Sequence, residues 1–279
     1  MTGVNHDRPP DGVGASRRRG DAPAAGVWAR LRELAERDGE PVSVRHAVLV
    51  CVEVLAATGG CLSLSRNGNL HEPVHATDER SHEVEELQTT FGEGPGVDSV
   101  AWGSPVLVDD LRTAESAARW PLFAVRAAEL GVRSVVALPV RAGEARLGAL
   151  VCHRDEPGVP GTAALGRALA CADAVPALVL DERGGVGPVL DDLLDGSFTI
   201  HRARVHQAAG MVAIQLGVDL VHALARLRAH AVADGRPISD TADDVIARRL
   251  RLTHHDHGLP LAEGGDGDGA KGTEEGNDR

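Results

Sequence analysis

Cysteine is scarce in this chain, and its spacing excludes two common uses of the residue. The four cysteines form no CxxC pair, so the spacing of a zinc ribbon or of a dithiol redox motif is missing. Three of them lie within apolar runs, where a buried and inert thiol is the expected state. The sequence therefore predicts neither disulfides nor a reactive thiol at Cys51, Cys61, Cys152 or Cys171.

Aromatic residues and lysine are also few. The 279 residues include no tyrosine, three phenylalanines and three tryptophans, and Lys271 stands against 28 arginines, a composition that suggests a GC-rich genome. The sequence contains no attachment site for a cofactor, so no cofactor is predicted. A small-molecule effector, a redox signal, a protein partner or no ligand at all stay open as inputs.

Catalytic motifs are missing as well. The chain has no nucleophile elbow and no HExxH, and the glycine-rich segment from Gly92 to Gly96 lacks the Gly-Lys-Ser/Thr ending of a phosphate loop. That segment is predicted to be a tight turn that closes a pocket. Glu83, Glu85 and Glu86 are interpreted as the polar side of a helix. We therefore expect a binding protein and not an enzyme.

Histidines give no clear metal site. His254, His255 and His257 flank Asp256 in one cluster that is interpreted as a solvated helix end, and one such cluster does not supply the four ligands of a structural site. His71, His75 and His82 lie near one another, but the chain has 13 histidines in all. No metal is predicted, although haem ligation, which needs only one axial histidine, stays open.

Long apolar runs and a secretory signal are absent from the sequence. No stretch of eighteen apolar residues occurs, and the N-terminus lacks a basic region followed by an apolar one. We therefore expect a cytoplasmic protein without membrane contact. A chain of this length with 43% hydrophobic residues is expected to form two domains.

The centre of the chain mixes helical and strand patterns. Strands are predicted over Cys61–Ser65, His71–Ala76, Pro105–Val108, Ser134–Val140 and Leu147–His153, with a hairpin turn at Asn67-Gly68-Asn69. Helices are predicted over Trp28–Arg37, Val42–Ala57, Glu83–Thr89 and Leu165–Leu180. Helices at the ends with antiparallel strands between them favour an α+β fold.

An ordered series of short motifs in this region resembles the GAF domain, a signal-sensing fold with a central antiparallel sheet flanked by helices. The series comprises Phe91-Gly92-Glu93-Gly94-Pro95-Gly96, Pro105 to Leu111, Trp120-Pro121, Gly131 to Ser134, Leu138-Pro139-Val140 and Leu147 to Leu150. The Trp120-Pro121 pair itself is interpreted as a core anchor, because a large aromatic beside a turn-forming proline usually packs.

Three short helical patterns follow between Ala203 and Leu252. Gly217 is predicted to end the first helix, Asp219 to cap the second, and Ser239 to cap the third. Between Ser197 and His255 there are eight arginines against five aspartates, a surplus of +3 in a chain of net charge −12, which leaves −15 for the remainder. This asymmetry suits a module that approaches phosphate, or arginines that coat a small bundle.

The three helical patterns resemble the ANTAR domain, an all-α module that binds paired RNA hairpins and prevents transcription termination. The resemblance rests on Gln207 to Met211, Ala223 to Ala231, and Arg236-Pro237-Ile238 with Ala242. It implies RNA contacts from Ala208, Ala209, Gly210 and Met211, and from Arg204, Arg228 and Arg236. Many members have lysine in place of Ala209 and an aromatic in place of Val232, which implies weaker RNA binding here.

GAF followed by ANTAR is a common order in actinobacterial proteins, and it predicts a signal-responsive antiterminator. The expected partners are hairpins in leader transcripts and a second copy of the chain, since two linked modules gain avidity. An interaction module that dimerises or binds a partner without RNA stays open. So does DNA binding through Arg248, Arg249 and Arg251, although no helix-turn-helix spacing is evident.

The predicted domain boundaries follow composition. Residues 1–26 and 256–279 are expected to be disordered tails, the second acidic and solubilising, with competition against RNA as its alternative role. The GAF domain is predicted over 27–184, a connector that contributes to a dimer seam over 185–196, and the ANTAR domain over 197–255.

Overall fold

The computed structural model of this protein describes residues 21–66, 70–181 and 197–253. Four predictions fall outside these ranges: most of the N-terminal tail, the hairpin turn at 67–69, the connector at 185–196 and the acidic tail with its histidine cluster. The predicted domain boundaries therefore remain predictions.

A five-stranded antiparallel sheet forms the centre of the fold. Its strands run in the spatial order β2-β1-β5-β4-β3. The bounds are β1 Gly59–Arg66, β2 Leu70–Ala76, β3 Val106–Val108, β4 Ser134–Ala142 and β5 Ala145–Arg154. Each predicted strand is confirmed, because period-2 patterns bounded by turn residues are local signals. The predicted α+β class is confirmed with them.

Gly148 shows why one motif glycine is needed in the sheet. It pairs with Leu64 across the β1–β5 ladder, and a Cβ added at Gly148 would lie 1.9 Å from the carbonyl oxygen of Ser63. Any other residue would therefore push the two central strands apart.

Three helices cover one face of the sheet: α1 Asp21–Asp38, α2 Val44–Leu55 and α7 Thr162–Asp181. Their apolar sides meet the sheet in a core that includes Leu31, Val48, Leu138 and Leu150. The first helix begins at Asp21, six residues before Val27, the predicted start of the GAF domain. Pro23 does not prevent this, because the first helical turn needs no donor from its N–H.

The helix α7 is the segment most similar to a membrane span. Residues Thr162–Leu180 are long and apolar enough to cross a bilayer by composition. However, Cys171, Ala172, Val175 and Leu178 are buried against the rest of the domain, where α7 contacts α1, α2 and β4. Packing in the core thus explains its apolar character.

Four helices cover the opposite face: α3 Glu79–Phe91, α4 Pro95–Trp102, α5 Ala114–Arg119 and α6 Phe123–Glu129. A second core fills this side, with Val84, Leu111, Phe123 and Val151 at its centre. Only the middle of α3 was predicted. The other three have six to eight residues, too few for an apolar period to emerge in the sequence.

Three more helices follow: α8 Ser197–Leu216, α9 Leu220–Ala233 and α10 Ile238–Ile246, with a separate core of their own. Two predicted signals are confirmed, since Gly217 adopts a φ of +62° and the Asp219 side chain accepts the N–H of His222 at 2.9 Å. The predicted cap at Ser239 is wrong. The helix begins at Ile238 after Pro237, and the Ser239 hydroxyl donates to Glu86 instead.

Candidate functional site

The glycine-rich motif forms the turn between α3 and α4. Gly92 ends α3 with a φ of +68°, and Gly94 precedes α4 with a φ of +137°. A Cβ at Gly94 would lie 2.7 Å from Cγ of Gln88, so the turn needs glycine for space as well as for conformation. The prediction of a tight turn is confirmed.

Glu93, between these glycines, caps the distant helix α6. Its Oε1 accepts the N–H groups of Leu122 at 2.7 Å and of Phe123 at 2.9 Å. A carboxylate at a helix N-terminus satisfies unpaired donors and complements the helix dipole. The motif is therefore accounted for by chain geometry rather than by phosphate binding.

Trp120 is a core anchor, as predicted. It is buried, packs edge-on against Phe123 with ring centroids 6.5 Å apart, and donates from Nε1 to Asp98 at 3.1 Å. The guanidinium of Arg119 lies 4.4 Å from the ring centre. All sides of the indole are thus occupied by the domain itself.

The helix α3 presents a row of buried polar side chains to the sheet. Ser81, Glu85 and Gln88 recur at helical spacing and are all buried. The Gln88 amide donates to Glu85 at 2.8 Å and accepts the N–H of Gly96 at 2.6 Å. The sequence analysis assigns Glu85 to the polar side of a helix, and the structure shows that this side chain is buried and accepts from Gln88, one turn later.

His153 on β5 belongs to the same polar row. Its Nε2 lies 3.1 Å from the hydroxyl of Ser81, and burial lowers the pKa of the imidazole. Its Nδ1 is buried and has no hydrogen-bond partner among the described residues. Sequence analysis missed this histidine. Its alternation with Ala149 and Val151 along β5 is the signal that places it on the face of the sheet that packs against α3.

The other side of α3 contacts the C-terminal helices. Arg228 on α9 donates from Nε to the carbonyl oxygen of Thr89 at 2.9 Å, and the N–H of Ile238 donates to the Thr90 hydroxyl at 3.4 Å. The Ser239 hydroxyl donates to the Glu86 carboxylate. Thus α3 carries the buried polar row on one face, and its other face contacts the C-terminal helices α8, α9 and α10, together called the helical unit.

A cleft of about 350 Å³ opens at this junction. Its floor is apolar, with Leu87, Phe91 and Leu130 from the domain that contains the sheet and Pro237 from the C-terminal helices. Charged side chains form its rim, where Arg126 pairs with Glu129 at 3.0 Å. Both parts of the chain therefore contribute to the lining of the cleft.

The four residues of α8 that were predicted to contact RNA differ in how far they are buried. Ala208 and Ala209 are buried in the core of the helical unit, and Met211 packs partly against it. Gly210 is different, since a Cβ added there would meet nothing within 4 Å. Two of the four side chains are therefore enclosed by the helical unit, while Gly210 borders solvent.

The three predicted basic contacts all have partners within the protein. Arg204 pairs with Asp243 at 2.6 Å, and Arg236 with Asp244 at 2.8 Å. The hydrogen bond to Asp244 raises the pKa of Arg236. With Arg228 bound to Thr89, these arginines are spread over three separate contacts. RNA binding by the seven residues stays a prediction.

No cluster of metal-ligating side chains occurs among the residues that the structure describes. All four cysteines are buried thiols. The sulfur atoms of Cys51 and Cys152 are 3.8 Å apart, and burial raises the pKa of the Cys51 thiol well above its usual range.

Comparison with known families places a GAF domain in this chain. The GAF domain model matches residues 43–170, which include the whole sheet and α3. This match ends before the C-terminal helices begin, and no curated protein matches the chain.

Similar solved structures include two GAF domains of phosphoenolpyruvate-protein phosphotransferases. The one from Coxiella burnetii is 18% identical, with a TM-score of 0.44 over 58% of this chain and 96% of that one. The one from Acinetobacter is 12% identical, with a TM-score of 0.42 over 57% and 96%. A type II free methionine-R-sulfoxide reductase from Thermoplasma acidophilum is 15% identical, with a TM-score of 0.37 over 54% and 96%.

Proposed function

We propose that this protein, whose residues 43–170 form a GAF domain, is a signal-responsive regulator that binds RNA through its C-terminal helices. The GAF domain receives the signal, and the helical unit binds hairpins in nascent leader transcripts and prevents a terminator from forming. The resemblance of residues 197–255 to the ANTAR domain supports the second half of this proposal.

The observation that carries the proposal is the position of α3. Ser81 and Gln88 face the sensor interior, while Thr89 and Glu86 hold Arg228 and Ser239 of the helical unit. A ligand that moves α3 in the sensor changes these contacts directly. The signal then shifts the population between docked and released helices, without a new fold.

Charge supports RNA as the partner. The helical unit carries a surplus of positive charge in a chain of net charge −12. Such a unit attracts a polyanion, while the acidic remainder disfavours nonspecific contact by the sensor. A homodimer would present two helical units to two hairpins, and the second contact would gain from effective concentration.

The test is binding of the purified full chain to a tandem-hairpin RNA, titrated from low to moderate salt. Wild type should bind, and its affinity should fall steeply with salt because phosphate contacts release counterions. Gly210→Arg should weaken binding at least tenfold, because its side chain fills an open surface of α8. Gly166→Arg is the matched control: Gly166 on α7 is half-buried like Gly210, and its Cβ also meets nothing within 4 Å.

Two results would refute RNA binding: no affinity at low salt, or equal weakening by both glycine variants. A second candidate function would then apply, in which the helical unit binds a protein partner or a second copy without RNA. The burial of Ala208 and Ala209 and the internal ion pairs of Arg204 and Arg236 favour this candidate. Its binding should change little with salt.

A further inference from the structure

An apolar surface on α8 is left largely uncovered by the described residues. Ile214 is 86% exposed, the largest exposure among the large hydrophobic side chains that the structure describes, and half-buried Met211 lies one turn before it. Gly210 continues the same face towards the N-terminus and touches nothing through its Cβ position. A mid-helix glycine costs about 1 kcal/mol relative to alanine, so a position without a packing reason points to close approach by a partner.

Arg248 and Arg251 lie beside this surface, just after α10. Arg248 adopts a φ of +59°, which is unusual for a residue other than glycine and turns the chain back after the helix. Arg249 pairs with Asp244 at 2.7 Å, whereas Arg248 and Arg251 form no ion pair among the described residues. Both of these are exposed. Neither guanidinium group is neutralised by a carboxylate of the described residues.

The two features meet in one groove of about 460 Å³ on the helical unit. Met211 and Ile214 form one wall, Leu250 forms part of the other, and the groove is completed by Gln215, Arg248 and Arg251. It thus combines an apolar surface, one amide and two guanidinium groups. Ala208 and Ala209, which were predicted to contact RNA, lie on the buried side of α8 and do not line the groove.

We propose that this groove binds an unpaired base from the loop of an RNA hairpin, with Arg248 and Arg251 contacting the flanking phosphates. The inference rests on the proposed function and names the site at which it acts. An apolar wall accepts the face of a base, and the amide nitrogen of Gln215 can donate to its edge. A paired base in a duplex could not enter, because both its faces and its pairing edge are already covered.

A second copy of the chain is a poorer occupant for this groove. A two-fold interface uses the same surface of both copies. The two copies would therefore bring Arg248 and Arg251 twice, and four guanidinium groups would surround one apolar patch. Like charges at short distance disfavour such an assembly. A polyanion neutralises the same groups.

Three variants of the full chain test the inference. Arg248→Gln/Arg251→Gln should weaken binding to the tandem hairpin more than tenfold and reduce the slope of log affinity against log salt by about 2. Ile214→Ala should weaken it about threefold to tenfold without a change in slope, because it removes no charge. Arg112→Gln/Arg167→Gln removes two exposed charges of the sensor and should bind as wild type.

A second RNA separates loop recognition from general attraction. Wild type should prefer the hairpins over a continuous duplex of equal length by at least tenfold, and Ile214→Ala should lose most of that preference. If wild type binds hairpins and the groove variants bind equally well, the inference fails while the proposed function stands. If wild type binds no RNA, both fail. Loss of a dimer by Ile214→Ala in sedimentation, with RNA binding unchanged, would assign the surface to self-association and overturn the inference.

Discussion

Arg228 Nε and the carbonyl oxygen of Thr89 lie 2.9 Å apart, and this hydrogen bond joins the C-terminal helices to the last turn of α3. The last carbonyls of a helix lack intrahelical donors, and a cation there also complements the helix dipole. The guanidinium passes 3.6 Å from the position of a Cβ at Gly92, so the glycine-rich turn lies directly beside the contact. A residue predicted to bind RNA is thus held by the sensor domain in the docked state.

Replacing Gly210 by alanine should stabilise the protein while weakening RNA binding. The added methyl group meets nothing within 4 Å, and alanine favours the helix by up to about 1 kcal/mol. The free energy of unfolding in urea and RNA affinity are both measured. Gly166→Ala in α7 should give a similar stabilisation with unchanged affinity. Equal RNA affinity for Gly210→Ala and wild type would mean that no partner approaches this glycine closely.

Asp110→Asn should destabilise the sensor domain at neutral pH by roughly 1 to 2 kcal/mol. The carboxylate accepts hydrogen bonds from the Arg133 side chain and the Arg112 N–H, which lower the pKa of Asp110 to about 2. A lowered carboxyl pKa stabilises the fold above pH 4 and ceases to do so as the pH falls towards 2. The wild-type advantage over Asp110→Asn should therefore vanish near pH 2, whereas Asp109→Asn, on the exposed neighbour, should match wild type throughout.

Mild acid should also destabilise the protein through His153. Burial lowers the pKa of this imidazole, so the unfolded chain binds a proton more readily than the folded one. Stability is then complete above about pH 6.5 and falls as the pH drops towards the lower folded-state value. Chemical unfolding at pH 7.5 and 5.5 should show a smaller loss for His153→Asn than for wild type. Identical losses would mean that His153 stays neutral in both states.

The cysteines should be unreactive in the folded protein. All four are buried, and burial raises the pKa of the Cys51 thiol, which disfavours the reactive thiolate. A disulfide reagent such as DTNB should label fewer than one thiol per chain over minutes, and all four in denaturant. Rapid labelling of even one native thiol would contradict this arrangement and favour a redox input.

The sheet was predictable because its signals are local. Alternating apolar residues and turn residues define each strand within a few positions, as they do around Gly148. The helix end at Gly217 and the cap at Asp219 were predictable for the same reason, since capping depends on one or two neighbouring residues. By contrast, α5 and α6 are short and depend on distant partners: Glu93 caps α6 from about 30 residues away.

The candidate site was less predictable for the same reason. Whether Glu85 is solvated or buried depends on how α3 packs on the sheet, which a helical period does not reveal. Ser239 looked like a cap, yet its hydroxyl bonds Glu86 from a different part of the chain, 153 positions away. The contact between Arg228 and Thr89 spans 139 positions and leaves no local pattern. Such contacts emerge only from tertiary packing.

Glu86→Arg tests most directly whether the sensor controls the helical unit. The change removes the acceptor of Ser239 and places a cation at the docked surface, which should shift the population towards released helices. Glu79→Arg alters charge equally on the exposed first turn of α3, outside the contact. With the tandem-hairpin RNA at one fixed salt concentration, the account predicts severalfold tighter binding by Glu86→Arg than by Glu79→Arg. Equal affinities for the two variants would contradict control of RNA binding through α3.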